Sequence, residues 1–85
     1  MMEKPVRLIV MTPQETLLDV AAQAVELPGV CGLFEVLAGH APLITALKEG
    51  AVEYKDGNGE WRKVGIASGF VEVLDNKVTV CAETK

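Results

Sequence analysis

Thr12-Pro13-Gln14-Glu15-Thr16-Leu17-Leu18-Asp19-Val20-Ala21-Ala22-Gln23-Ala24-Val25-Glu26-Leu27-Pro28-Gly29 is the stretch on which the fold class turns. It carries two incompatible signals. Thr12-Pro13-Gln14-Glu15 has the form of a capping box: a hydroxyl to accept from the first free amides, Pro at the first helical position, and Glu three residues after Thr. Leu17, Leu18, Ala21, Ala22 and Val25 then fall near one face of a 3.6-residue repeat, which reads as a helix over residues 13–25. The other reading is two short strands, residues 16–21 and 23–27, closed by Pro28-Gly29. Local signals leave both open.

Outward from this stretch the signals are β. Residues 6–11 are a branched apolar run and read as a first strand, broken at Thr12-Pro13 because Pro13 lacks a ladder donor. Residues 32–37 form a short strand ended by Gly39, and residues 42–47 another, stopped by Lys48-Glu49-Gly50. Residues 51–55 and 60–66 flank Asp56-Gly57-Asn58-Gly59. That cluster is the strongest hairpin signal, since Gly and Asn tolerate the positive φ of a tight turn. Gly69 precedes a last hairpin, in which residues 70–74 and 77–82 alternate around Asp75-Asn76. Val71 and Val73 share one face, as do Val78, Val80 and Ala82, and one of each set is expected to point inward. An open sheet of so many short strands would expose long edges, so two packed sheets or a flattened barrel are expected.

Composition narrows the class further. Eighty-five residues make one domain at most, burying only about 60–65% of the surface of the unfolded chain. An apolar share of 49% with 24% charged residues fits a globular protein. Phe34, Tyr54, Trp61 and Phe70 are the full aromatic set, so small and branched aliphatics must fill the interior. Twelve acidic against eight basic residues leave a net charge of −4, which argues against nucleic-acid binding. No run is long enough to span a bilayer. Met1-Met2-Glu3-Lys4-Pro5 has no signal-peptide pattern, so the protein is expected to stay in the compartment that made it. Cys31 and Cys81 read as reduced thiols, with no disulfide and no metal site expected.

Few residues suggest chemistry. His40, the single histidine, lies in a turn between two expected strands. It reads either as a loop residue bonded to neighbouring backbone or as a residue that docks on a partner. A Cys31–His40 nucleophile pair is conceivable by residue type, but the spacing gives it no support. Gly29-Val30-Cys31-Gly32 lacks the Lys and Ser or Thr of a phosphate loop. Lys77 beside Asp75-Asn76 raises a lipoyl- or biotinyl-like carrier as an alternative. Such carriers hold the lysine inside the hairpin tip, whereas Lys77 begins the outgoing strand. No catalytic residue and no cofactor is expected.

The stretch from Leu27 to Gly50 resembles the signature region of ATP synthase epsilon subunits: a Gly-x-x-Gly turn at Gly29–Gly32, a short strand, then Gly39-His40-Ala41-Pro42-Leu43 and Thr45-Ala46-Leu47-Lys48-Glu49-Gly50. Val10-Met11-Thr12-Pro13 with Leu17-Leu18-Asp19 matches the family's start. Gly69-Phe70-Val71-Glu72-Val73 with Asn76-Lys77-Val78-Thr79-Val80 and Ala82-Glu83 matches the last hairpin of its N-terminal domain. The resemblance implies an all-β, ten-stranded β-sandwich of short antiparallel strands, with residues 14–27 as strands. It implies a non-catalytic rotor subunit of the proton-translocating ATP synthase, peripheral to the membrane at the cytoplasmic face of the bacterial inner membrane or its organelle equivalent. By the same resemblance Val30, Cys31, Gly32 and Leu33 face the c-ring, and Gly39, His40, Ala41, Pro42 and Leu43 face the gamma subunit. Gly39 would permit a backbone angle that a side chain forbids, and Pro42 would stiffen the exit. Ala38 stands where the family often has Pro, implying a looser turn. Leu33 stands where many members have an acidic residue, implying an apolar or backbone contact. The family's C-terminal helical hairpin is absent from these 85 residues, so helix-based inhibition and nucleotide sensing are expected to be lost while rotor assembly and coupling remain.

Overall fold

The computed structural model describes residues 4–84; the leader reading, which draws on Met1-Met2-Glu3, falls mostly outside them. Nine strands follow one another: β1 (Val6–Met11), β2 (Thr16–Ala22), β3 (Ala24–Gly29), β4 (Gly32–Val36), β5 (Leu43–Leu47), β6 (Gly50–Lys55), β7 (Trp61–Ile66), β8 (Ser68–Leu74) and β9 (Lys77–Glu83). Among the described residues there is no helix.

The undecided stretch is therefore two strands, and the capping signal has a local use. Thr12 Oγ1 accepts from the amides of Gln14 and Glu15, both at 3.2 Å. The Thr12 amide donates to the Glu15 carbonyl at 2.8 Å. The capping chemistry closes a four-residue turn instead of opening a helix. Beyond it β2 pairs antiparallel with β1, placing Leu18 opposite Val10 and Ala22 opposite Val6. Ladder pairing and burial of Leu18, Val20 and Ala22 against the core outweigh a helix propensity that differs by only tenths of a kcal/mol per residue.

The strands form one mixed sheet in the order β2-β1-β9-β8-β5-β3-β6-β7, with β4 on the free edge of β3. Two features correct the expected arrangement. The described residues hold nine strands, not ten, because the segments between them close as turns. The strands are not all antiparallel, because β1 and β9 run parallel, Leu8 beside Val78 and Val10 beside Val80. The wing β2-β1-β9-β8-β5 and the wing β4-β3-β6-β7 share a single rung, Gly29 to Leu47. The sheet bends at that corner into a half-barrel, and the wings bury their inner faces in one cluster.

Period-two alternation decides what enters that core. Val6, Leu8 and Val10 come from β1, Val25 and Leu27 from β3, Val52 and Tyr54 from β6, and Ile66 from β7. Val71, Val73, Val78, Val80 and Ala82 are all buried, so both valine sets of the last hairpin point inward. Each buried Val, Leu or Ile contributes about 1.5–3 kcal/mol of transfer free energy. Aliphatics do fill the interior, with Tyr54 the one buried aromatic.

The hairpins obey their turn chemistry. Asp75 and Asn76 both take positive φ, 51° and 62°, as a two-residue type I′ turn requires. The β6–β7 turn is built on Asp56. Its Oδ1 accepts from the amides of Asn58 and Glu60 at 2.8 and 3.0 Å, and its Oδ2 from Arg62 Nε at 2.7 Å. The Arg62 guanidinium, then those two amides, hold the Asp56 carboxyl below its ordinary range. Across β1 and β2, Arg7 grips Asp19 through two bonds of 3.0 and 2.8 Å, which lowers the Asp19 carboxyl likewise.

Candidate functional site

Both turns singled out from the sequence lie at the ends of β4. The first is the tip between β3 and β4. Gly29 and Gly32 form the last rung, leaving Val30 and Cys31 as a two-residue tip. Gly32 sits at φ 134° with nothing within 4 Å of where a Cβ would be, so backbone shape, not crowding, selects glycine there. Val30 is 52% exposed and Leu33 67%. The Val30 amide donates to the Ala46 carbonyl at 3.1 Å and the Lys48 amide to the Pro28 carbonyl at 2.9 Å, which lash this tip to the corner of the sheet.

The second turn, residues 37–42, carries the chain from β4 to β5. The His40 amide donates to the Leu37 carbonyl at 3.1 Å. His40 Nδ1 lies 2.7 Å from the Ala41 carbonyl oxygen. A carbonyl only accepts, so Nδ1 carries the proton and the ring is oriented by its own loop. This is the backbone-bonded geometry of the plainer sequence reading. Gly39 takes φ 85° with open space around it. Its amide donates to Asn76 Oδ1 at 2.7 Å, a bond that spans 37 positions in sequence. Leu43 then begins β5 opposite Val73.

The two turns meet. A groove of about 360 Å³ is lined by Cys31, Gly32, Leu33 and Phe34 from one side and by His40 and Leu43 from the other. Val30, Gly39, Ala41 and Pro42 lie outside it. Cys31 and His40 thus share one groove, but the His40 ring is held by the Ala41 carbonyl, with no acidic group bonded to it. Cys31 and Cys81 are both free and exposed. Lys77 pairs with Leu74 as the first residue of β9, just outside the Asp75-Asn76 tip. Among the described residues no three of His, Cys, Asp and Glu are grouped to hold a metal ion.

Sequence reasoning missed two features. One is an apolar row across the outer face of the larger wing. Ala46 pairs with Phe70, Phe70 with Cys81, and Cys81 with Met11. Phe70 is 63% exposed and its neighbour Ile44 75%. The signal was available, since Phe70 and Cys81 alternate with the inward valines of the same strands. The outer face of the smaller wing is acidic instead, with Glu35, Glu26, Glu53 and Lys63 in one cross-strand row. The other feature is Asn76, which read only as a turn residue. Nothing local in the sequence ties it to Gly39.

Comparison with known proteins places this geometry. The family model described as the ATP synthase delta/epsilon chain β-sandwich domain matches residues 5–85. The ATP synthase epsilon chain of Desulfosudis oleivorans is 41% identical over 83 residues, 98% of this chain and 62% of that one. The epsilon chain of Desulfatibacillum aliphaticivorans is 45% identical over 75 residues, 88% of this chain and 53% of that one. The chain thus spans less than two thirds of either relative. A chain in the structure of the Euglena gracilis mitochondrial ATP synthase (OSCP, F1 and c-ring) superposes with a TM-score of 0.87 at 24% identity, over 96% of this chain and 52% of that one. One from the central stalk and c-ring of the Tetrahymena thermophila mitochondrial enzyme gives 0.75 at 12% identity, over 96% and 65%. At these identities the two structures share the fold.

Proposed function

This chain belongs to the ATP synthase delta/epsilon chain family through its β-sandwich domain, and from that premise we propose that it is a non-catalytic rotor part of the proton-translocating ATP synthase. In this reading it binds the gamma subunit and the c-ring and turns with them. The match of the family's domain over residues 5–85 carries the reading. The geometry supports it as well. Passing torque between two neighbours needs a stiff body and fixed attachment points, because slack at either contact is lost rotation. The single cluster between the wings supplies the stiffness, and two exposed turns supply the attachments. The facing wings also support reading the half-barrel as the family's β-sandwich.

Gly39, His40, Ala41, Pro42 and Leu43 form the surface toward gamma, and Val30, Cys31, Gly32 and Leu33 the surface toward the ring. Leu33, apolar and outward, makes the ring-side contact an apolar one. The domain is carried at the membrane through its partners, at the cytoplasmic face of the bacterial inner membrane or its organelle equivalent.

The test is reconstitution. Purified chain should capture gamma and hydrolyse no ATP alone, and enzyme assembled without it should lose coupling between ion flow and ATP synthesis. An assembled enzyme that couples equally well without this polypeptide would refute the reading.

A further inference from the structure

We infer that Asn76, at the tip of the β8–β9 hairpin, is the positioning residue of the 37–42 turn and so presets the surface that carries His40. The part concerning gamma rests on the function proposed above; the part concerning the turn does not.

Inside the turn, the His40 amide bonds to Leu37 and the His40 ring to Ala41, both within the same six residues. They shape the turn without attaching it to anything. The bond to the body is the Gly39 amide on Asn76 Oδ1, at 2.7 Å. Between buried Val36 and partly buried Leu43 the turn itself offers little packing, since Leu37 is 51% exposed and Ala38, Gly39, Ala41 and Pro42 are all exposed. Asn76 is itself well fixed. It occupies the left-handed region at φ 62°, and its carbonyl accepts from the Arg7 amide at 2.9 Å. Its side chain is thus a short acceptor on a rigid tip, reaching a donor on a weakly packed loop.

The consequence is geometric. Gly39 precedes His40, so fixing the Gly39 amide fixes where the His40 ring stands over the groove it shares with Cys31 and Leu33. A turn held in its bound shape has less freedom to lose on docking, so its partner is held more tightly for the same contacts.

Two substitutions isolate the side-chain oxygen from the turn. Asn76→Gly keeps the left-handed backbone and the carbonyl used by Arg7 but removes the acceptor. Asn76→Asp keeps both the acceptor and the tolerance of positive φ. In the free chain, Asn76→Gly is expected to leave the strand amides protected while Gly39 amide exchange rises about tenfold, the scale of one hydrogen bond. Gamma affinity should fall by about three- to tenfold, and Asn76→Asp should restore both. Unchanged Gly39 exchange in Asn76→Gly would refute the latch. Faster exchange with unchanged gamma affinity would refute its role in docking. If wild-type chain fails to bind gamma, the proposed function and the docking part both fall, while Gly39 exchange still decides the latch.

Discussion

The two turns at either end of β4 solve the same problem by different means. The Val30-Cys31 tip grows out of β3, whose burial is nearly continuous from Ala24 to Gly29, and two main-chain bonds tie its base to the sheet corner. The 37–42 turn leaves from exposed Leu37 and enters the half-exposed start of β5. It relies on one side chain from a distant hairpin. A short loop on a buried strand inherits its rigidity, whereas a longer loop whose own residues are exposed gains from a pin outside it.

The contrast can be broken most forcefully from below. Leu27 is fully buried in β3, and Leu27→Ala should cost about 2–5 kcal/mol. Leu43, only partly buried at the exit of the other turn, should cost about 1–2 kcal/mol as Leu43→Ala. Urea unfolding measures both, and equal losses would erase the claimed difference between the two supports.

Next comes Gly39→Val. With nothing near a Cβ, the penalty is backbone strain at φ 85°, about 1–3 kcal/mol. Gamma affinity should drop by about tenfold or more, beyond the fall in melting temperature. A parallel loss of both would make this glycine purely structural.

Leu33→Glu probes the other turn. At 67% exposure it should shift stability by no more than about 0.5 kcal/mol. Binding to purified c-ring should weaken about tenfold if the contact is apolar. Tighter binding would mean that the ring side favours an acidic residue here.

The smallest effect belongs to a turn outside the pair. Asp56 and Asp19 are both held below the ordinary carboxyl value of 3.8 by their arginines. A lowered native value means that the unfolded chain takes up protons first. Their stabilisation is therefore full above about pH 4 and lost as pH falls through the lowered native values. Asp56→Asn should keep the caps on Asn58 and Glu60, lose the Arg62 pair, and flatten part of the acid-induced fall in melting temperature. Both turns at the ends of β4 should be unmoved, as amide shifts would report.

Most of the β layout was legible because period-two patterning and turn residues are local properties. Residues 70–74 and 77–82 around Asp75-Asn76 foretell β8 and β9 to within two residues at each end. Residues 12–25 were not legible locally, since Thr12 makes the same bonds in a turn as at a helix start and only pairing with β1 decides between them. The parallel β1–β9 contact leaves no mark on either strand's pattern, so nothing in the residues could correct the antiparallel pairing that the resemblance implied. The candidate turns came from family resemblance. Their meeting in one groove, and the hold of Asn76 on Gly39, depend on contacts between segments far apart in sequence.

The parallel pairing of β1 with β9 has a consequence for how the molecule is made. β1 lies between β2 and β9, so its second edge stays bare until residues 77–83 have been synthesised. A nascent chain can fold the β1–β2 hairpin early, but it leaves the ribosome with an open row of peptide groups and Val6, Leu8 and Val10 uncovered. Such edges recruit other strands. Closure between the two most distant strands makes folding slow for the chain's size. The interval before β9 pairs with β1, not the folded domain, is when this chain is most prone to aggregate.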